Sequence, residues 1–138
     1  MTANCTGGRM VTGWRSFKYL FTIARLHVEA GREHCINYGI GYEPTFLDGL
    51  RVALYDFLFN HIIYCHDYRS YIVWEHVKVP TIKESCALVI RLYTPREFRG
   101  MGIASALLDE IPHDNVLTYH KGVNCEEIGR VYKRYKDR

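Results

Sequence analysis

The chain has 138 residues, of which 48% are hydrophobic and 24% are charged. This length and composition fit one globular domain and exclude a disordered chain. The net charge of +3 is mildly basic, which favours phosphorylated ligands or acidic partners but is too small to indicate a nucleic-acid-binding protein.

The five cysteines are an odd number and lie far apart, so they do not have the pattern of a disulfide framework. Neither a secretory signal nor an apolar run of membrane length is present. We therefore expect reduced cysteines, a cytoplasmic location and no membrane partner. The pairs His34-Cys35 and Cys65-His66 lack the spacing of metal ligands, so no metal site is expected.

The chain begins with a segment that has no periodic pattern. Residues 1–12 are expected to be a flexible N-terminal segment in front of a single domain over residues 13–138. From Trp14 onward, apolar residues recur at helical spacing as far as Gly31, a residue that often ends a helix. This pattern predicts the first helix.

A second helix is predicted after an aromatic and glycine-rich loop. The loop contains Tyr38–Tyr42. Thr45 and Asp48 have the spacing of a capping box, in which each residue satisfies a backbone amide of the other. The apolar residues that follow predict a helix as far as Leu58.

Four strands follow in the prediction. Ile62–Cys65 and Tyr71–Val79 are β-branched and aromatic runs that suit a hairpin, and Cys86–Tyr93 suits a third antiparallel strand. A helix over Gly100–Ile111 then provides a crossover to Val116–His120, which is expected to pair in parallel with the third strand.

The last predicted element is a helix. Asn124 has the position of its N-cap and Glu127 lies three residues later, while Ile128, Val131 and Tyr132 have helical spacing. The predicted fold class is therefore α/β (α+β), with a mixed, mostly antiparallel central sheet flanked by helices.

The turn between the third strand and its crossover helix has the composition of an anion-binding loop. Between Arg99 and Ala104, two glycines allow successive backbone amides to point into one concavity. A Walker loop is excluded because no lysine follows the glycines, and a dinucleotide fingerprint is excluded because Ser105 stands where its third glycine is required.

Arg99, Gly102 and Ala104 resemble the motif [Q/R]-x-x-G-x-[G/A] of the GNAT N-acetyltransferase superfamily. The resemblance extends to the order of the central elements, and it implies that the chain binds acetyl-CoA. It assigns the pyrophosphate to the backbone amides of Arg99, Gly100, Met101, Gly102, Ile103 and Ala104. It assigns the pantetheine arm to the strand backbone at Leu92, Tyr93 and Thr94.

The chain departs from the family pattern in three places. Pro95 precedes Arg99 by four residues instead of three. The family begins with a strand before its first helix and ends with two strands after its last helix, and neither end is evident here. A second copy of the chain would cover the resulting sheet edge, so a homodimer is a candidate assembly.

The resemblance also implies catalytic roles. Tyr132 matches the tyrosine that protonates the departing thiolate from the last helix of many family members. For the base that deprotonates the amine, Glu75 and His76 on the second hairpin strand are candidates, since one of two adjacent strand residues faces the cleft. His120 is a further candidate.

The implied function is acetyl-CoA-dependent transfer of an acetyl group to a primary amine of a small molecule or protein. The amine would attack the thioester directly in a ternary complex. The alternative is a catalytically inactive binding or adaptor protein that engages a protein or nucleic acid through its aromatic surface and basic C-terminal residues. Those basic residues are Arg130, Lys133, Arg134, Lys136 and Arg138.

Overall fold

The computed structural model describes residues 10–78 and 85–118 together with the strand residues 130–133. A short 3-10 turn, Arg96–Phe98, separates the strand Cys86–Tyr93 from the helix Ile103–Asp109. The elements are β1 (Met10–Thr12), a 3-10 segment (Gly13–Tyr19), α1 (Leu20–Asn37), α2 (Phe46–Phe59), β2 (His61–Cys65), β3 (Ser70–Val77), β4 (Cys86–Tyr93), α3 (Ile103–Asp109), β5 (Asn115–Thr118) and β6 (Arg130–Lys133).

The strands form one six-stranded sheet in the order β1-β2-β3-β4-β5-β6. β4 and β5 are parallel, and every other neighbouring pair is antiparallel. This arrangement confirms the predicted mixed, mostly antiparallel sheet. It also confirms the predicted hairpin and the helical crossover that brings β5 alongside β4.

Helices cover both faces of the sheet. On one face, α1 and α2 pack against β2, β3 and β4 through Ile23, Phe57 and Tyr64. On the other face, α3 packs through Ile103 and Leu107. Because successive strand residues point to opposite faces, each central strand contributes to both cores.

The local sequence predicted the start of α2 but not the end of α1. Thr45 and Asp48 form the predicted capping box at the start of α2. The predicted end of α1 at Gly31 is wrong, because α1 continues to Asn37. A Cβ at Gly31 would lie 3.2 Å from Pro44 Cγ, so this glycine permits close packing and does not end the helix.

Both ends of the sheet differ from the prediction. The three residues of β1, too few to form a recognisable pattern, pair with β2, so a strand does precede the first helix. The predicted last helix is wrong where the structure describes it: Val131 and Tyr132 lie in β6, paired with Leu117 and Val116. β-branched and aromatic residues suit strands, and the edge of β5 supplies hydrogen bonds that outweigh local helical spacing.

The expectation of reduced cysteines is wrong for Cys65, which is disulfide-bonded, whereas Cys35 and Cys86 carry reduced thiols. Cys5 and Cys125 lie outside the described residues. Of the segment over residues 1–12 that was predicted to be flexible, residues 1–9 lie outside the described residues and Met10–Thr12 form β1. In the part of the chain that the structure describes, no helix has the length and apolarity needed to cross a bilayer.

Candidate functional site

The glycine turn lies between β4 and α3 and requires its two glycines. Gly100 has φ 81° and Gly102 has φ 80°, both in the left-handed region that residues with a Cβ rarely adopt. A Cβ at Gly100 would find no atom within 4 Å, so the space beside the turn is open.

The backbone amides of this turn are available to an external acceptor. The amide of Arg99 donates to the carbonyl oxygen of Arg96 at 3.2 Å, and α3 begins with the bond from Ala106 to Gly102 at 3.0 Å. For the amides of Gly100–Ala104, the described part of the chain supplies no acceptor. Such amides need a ligand or water to satisfy them.

The side chain of Arg99 fixes the turn to its surroundings. Its guanidinium makes two bonds to the Glu33 carboxylate, at 2.7 and 2.8 Å, which hold α1 beside the turn. Its Nε donates to the carbonyl oxygen of Thr94 at 2.9 Å. The bonds from Arg99 lower the pKa of Glu33. Arg99 is therefore already paired, and we assign it to positioning the turn.

The carboxyl end of β4 extends beyond its described parallel partner. β5 pairs with Ala87–Val89, and within the described residues nothing pairs with Ile90–Tyr93 on that side. On the β3 side a bulge interrupts the register at Ile90, since Val73 pairs with Arg91 and Trp74 pairs with Val89. Within residues 85–118, the backbone groups of β4 directly before the glycine turn therefore lack a strand partner on this side.

A cleft connects this end of β4 to α1 and α2. One part, of about 410 Å³, includes Leu92, Tyr93, Thr94, Arg99 and Ala104 in its lining. The Thr94 hydroxyl is buried and has no hydrogen-bond partner among the described residues. The structure therefore brings five of the nine predicted cofactor-binding residues together around one opening.

The second part of the cleft, of about 850 Å³, lies between α1, α2 and β4 and is mostly apolar. The two parts share four lining residues and therefore lie side by side. The shared residues are Ala30, His34, Leu92 and Tyr93.

A cluster of five polar side chains lies beside the larger part, and His27, Tyr71 and Arg91 of this cluster line it. Asp56 is fully buried and accepts two bonds from Arg91, at 3.0 and 3.2 Å. Asn60 donates to the same carboxylate at 3.0 Å. His27 Nδ1 lies 2.6 Å from the Tyr71 hydroxyl, and His27 Nε2 lies 3.5 Å from Asp56. Among the described lining residues, the charged side chains are Arg91, which belongs to this cluster, and Asp48.

Burial controls the protonation states in this polar cluster. Burial, followed by the charge of Arg91, lowers the pKa of His27 to about 3, so its ring is neutral near pH 7. Burial also raises the pKa of Asp56, while Arg91 and Asn60 oppose that rise. The Tyr71 hydroxyl has a raised pKa because it is buried, and it stays protonated. With His27 neutral, the Tyr71 hydroxyl can donate to His27 Nδ1.

Of the residues predicted to be catalytic, the two on β3 do not line the cleft. Glu75 and His76 lie in β3, and neither lines either part of the cleft. His76 contacts His113 at 2.9 Å and packs against Trp74 on the sheet face that carries α3. Tyr132 lies in a strand instead of a helix, and His120 lies outside the described residues. Their predicted roles stay predictions.

Sequence reasoning missed the polar cluster. His27 and Asp56 occur on helices at positions where the neighbouring pattern is apolar, which is the one signal that the sequence offered. Their partners are remote: Tyr71 is 44 residues from His27 and Arg91 is 35 residues from Asp56.

In the described residues, no group of three or more His, Cys, Asp or Glu side chains is arranged to hold a metal ion.

Comparisons with known proteins give few matches. No family model matches the chain, and no curated protein is significantly similar to it. Solved structures do match, among them an aminoglycoside acetyltransferase from an uncultured soil metagenomic sample. That chain is 15% identical with a TM-score of 0.45, and the match covers 72% of this chain and 66% of that chain, just under two thirds.

Proposed function

We propose that this protein binds acetyl-CoA in the cleft and transfers the acetyl group to a primary amine of a small molecule or protein. The diphosphate binds the amides of Gly100–Ala104, and the pantetheine arm lies along Leu92–Thr94. The observation that carries the proposal is the run of turn amides without an acceptor in the described chain.

The residues present fit the coenzyme. Left-handed glycines keep side chains out of the turn, and the space beside Gly100 is open. The free backbone edge of β4 suits the amide groups of a pantetheine arm, because an extended chain pairs with an exposed strand. The unpartnered Thr94 hydroxyl adds a hydrogen-bonding group along the same path. Arg96, with a side chain 79% exposed, supplies positive charge near the turn.

Acetyl-CoA would supply the thioester, and the chain supplies position and surroundings. For a lysine-like amine, deprotonation near neutral pH costs about 4–5 kcal/mol, and removal from water lowers this cost. The apolar lining of the larger part of the cleft provides such surroundings. Holding amine and thioester together supplies much of the remaining rate enhancement. Since Glu75 and His76 lie outside the cleft, the proposal gives them no proton-transfer step.

Thermal unfolding with and without acetyl-CoA tests the binding step. Saturating ligand stabilises the folded protein by about 2.7 kcal/mol at a hundredfold excess over the dissociation constant. Ala104→Glu places a carboxylate in the diphosphate site at a helical position, so it should fold normally and lose this stabilisation. Gly41→Glu, in an exposed loop with no neighbour within 4 Å, is the matched control and should keep it.

Release of free thiol in the presence of amines tests the transfer step. We expect thiol release with a primary amine and none with Ala104→Glu. Absence of stabilisation in the unmodified chain would refute coenzyme binding. Stabilisation without thiol release from any of a panel of small amines, peptides and proteins would support the inactive binding protein instead.

A further inference from the structure

The outer surface of the α1–α2 layer is unusually apolar. Phe59 is 68% exposed, Leu58 is 64% exposed and Trp14 is 63% exposed. We call this surface the outer apolar face. Its members are Trp14, Phe17, Phe21, Phe46, Leu47, Leu54, Tyr55, Leu58 and Phe59, all classed as exposed.

The face arises because α2 is apolar on both sides. Its inner side packs against the sheet layer through Ala53 and Phe57. Leu47, Leu54 and Leu58 recur at helical spacing on its outer side. A helix that is apolar all round is normally buried, so the outer side of α2 is expected to be covered by something.

Ring contacts hold much of the face together. Trp14 lies 5.6 Å from Phe17 and 6.0 Å from Phe57, measured between ring centroids. Phe21 stacks on Phe46 at 6.1 Å, which joins the start of α1 to the start of α2. The aromatic side chains of the two helices are therefore linked across the layer and do not project singly.

Most of the charges around the face are basic, and Glu29, which lines an opening together with Arg25 and Phe46, is an exposed acid at its border. Over residues 13–25 and 46–59 the exposed charged residues are basic. The acids of these segments are engaged: Asp48 caps α2 and Asp56 binds Arg91. No ion pair of a basic residue of the face appears within the described residues. These basic residues are Arg15, Lys18, Arg25 and Arg51.

We propose that the outer apolar face docks onto the surface of an anionic lipid membrane. Leu, Phe and Trp side chains enter the boundary of the acyl region, and the basic residues meet lipid phosphates and carboxylates. A second copy of the chain fits less well, because unpaired cations would face each other across a symmetric interface. The expectation of no membrane partner came from the lack of a membrane-spanning segment. A protein that docks on the headgroup region of a bilayer does not need such a segment.

Vesicle flotation of the full chain tests the proposal. Vesicles of phosphatidylcholine alone are compared with vesicles that also contain phosphatidylserine. We expect binding to the mixed vesicles, roughly tenfold weaker binding after Lys18→Glu, and a similar loss after Leu58→Ser. Both changes are at exposed positions, so thermal unfolding should show that the variants remain folded.

Each variant has a matched control. Lys78→Glu makes the same charge change at an exposed lysine outside the face, and Ile36→Ser makes a comparable apolar-to-polar change at a residue 74% exposed. Both should bind like the unmodified chain. Equal losses in variants and controls, equal binding to both vesicle types, or no binding to either would overturn the proposal.

Light scattering after size-exclusion chromatography tests whether a second copy of the chain covers the face instead of a membrane. A monomer is expected for the unmodified chain. A dimer that Leu58→Ser dissociates would assign the face to a second copy and overturn the proposal. These readouts involve no coenzyme, so they are independent of acetyl transfer.

Discussion

His27 makes the stability of this protein sensitive to acid. Its ring is neutral in the folded state because burial and Arg91 lower its pKa to about 3 from an ordinary value of 6.5. Between these values the unfolded chain binds more protons than the folded chain, so acidification favours unfolding. We expect this histidine to lower the free energy of unfolding by up to about 1.4 kcal/mol per pH unit as the pH falls below about 6.5.

Urea denaturation from about pH 6.5 to about pH 5 measures this effect, since most carboxylates titrate at lower pH. His27→Gln should flatten the dependence on pH in that window. His66→Gln, at an exposed histidine, is the matched control and should leave the slope unchanged. If both variants keep the slope of the unmodified chain, the neutral state of His27 is contradicted.

Single residues were predictable from sequence where the relevant contact is local. The bonds between Thr45 and Asp48 span three residues, and a spacing rule found them. The pairing of Arg99 with Glu33 spans 66 residues, and no local pattern indicates it. Sequence motifs thus identified the turn but not the contact that anchors it to α1.

At the scale of elements, the close crossing of α1 and α2 depends on Gly49. A Cβ at this position would lie 2.3 Å from the Ala24 carbonyl oxygen and 2.8 Å from Val28 Cγ2. Alanine favours a helix over glycine by about 1 kcal/mol, but forcing apart a packed crossing costs more. We expect Gly49→Ala to lower the free energy of unfolding by about 2 kcal/mol, measured by urea denaturation.

Gly31→Ala is the comparison for this prediction. Here the added Cβ meets a carbon of the Pro44 ring at 3.2 Å, a contact that a small shift relieves. The gain in helix propensity offsets this contact, so stability should change by less than about 1 kcal/mol. Equal destabilisation by the two substitutions would show that the crossing at Gly49 has no special role.

Whether a segment forms a helix or a strand was predictable where its residue pattern extends over many residues. Helical spacing over α2 and the β-branched runs of β2 to β4 identified these elements. Short elements were not found: β1 has three residues and exists through pairing with β2. The segment containing Val131 has helical spacing, yet it pairs with β5, because hydrogen bonding to an existing sheet edge outweighs local preference.

At the scale of the whole molecule, the glycine turn joins two strands that are remote in sequence. Over the described residues, β4 and β5 pair through three residue pairs, and the turn and α3 connect them. A ligand held by the turn should therefore restrict opening of this junction. We expect acetyl-CoA to slow hydrogen exchange at Gly100–Ala104 and Val116–Thr118 but not in β1 or β2.

Exchange measured by mass spectrometry, with and without coenzyme, checks this expectation. Ala104→Glu should show the exchange of the free protein in both conditions. Slowing that is equal in all strands would instead indicate a general rise in stability, and the turn would have no particular link to β5.

The two tryptophans lie in contrasting surroundings. Trp14 is 63% exposed on the outer apolar face, whereas Trp74 is 4% exposed in the core beside α3. Indole emission shifts to shorter wavelength as water is removed from the ring. A chain with Trp74→Phe therefore reports through Trp14 on vesicle docking, and a chain with Trp14→Phe reports through Trp74 on unfolding. One fluorescence instrument can then separate the two events.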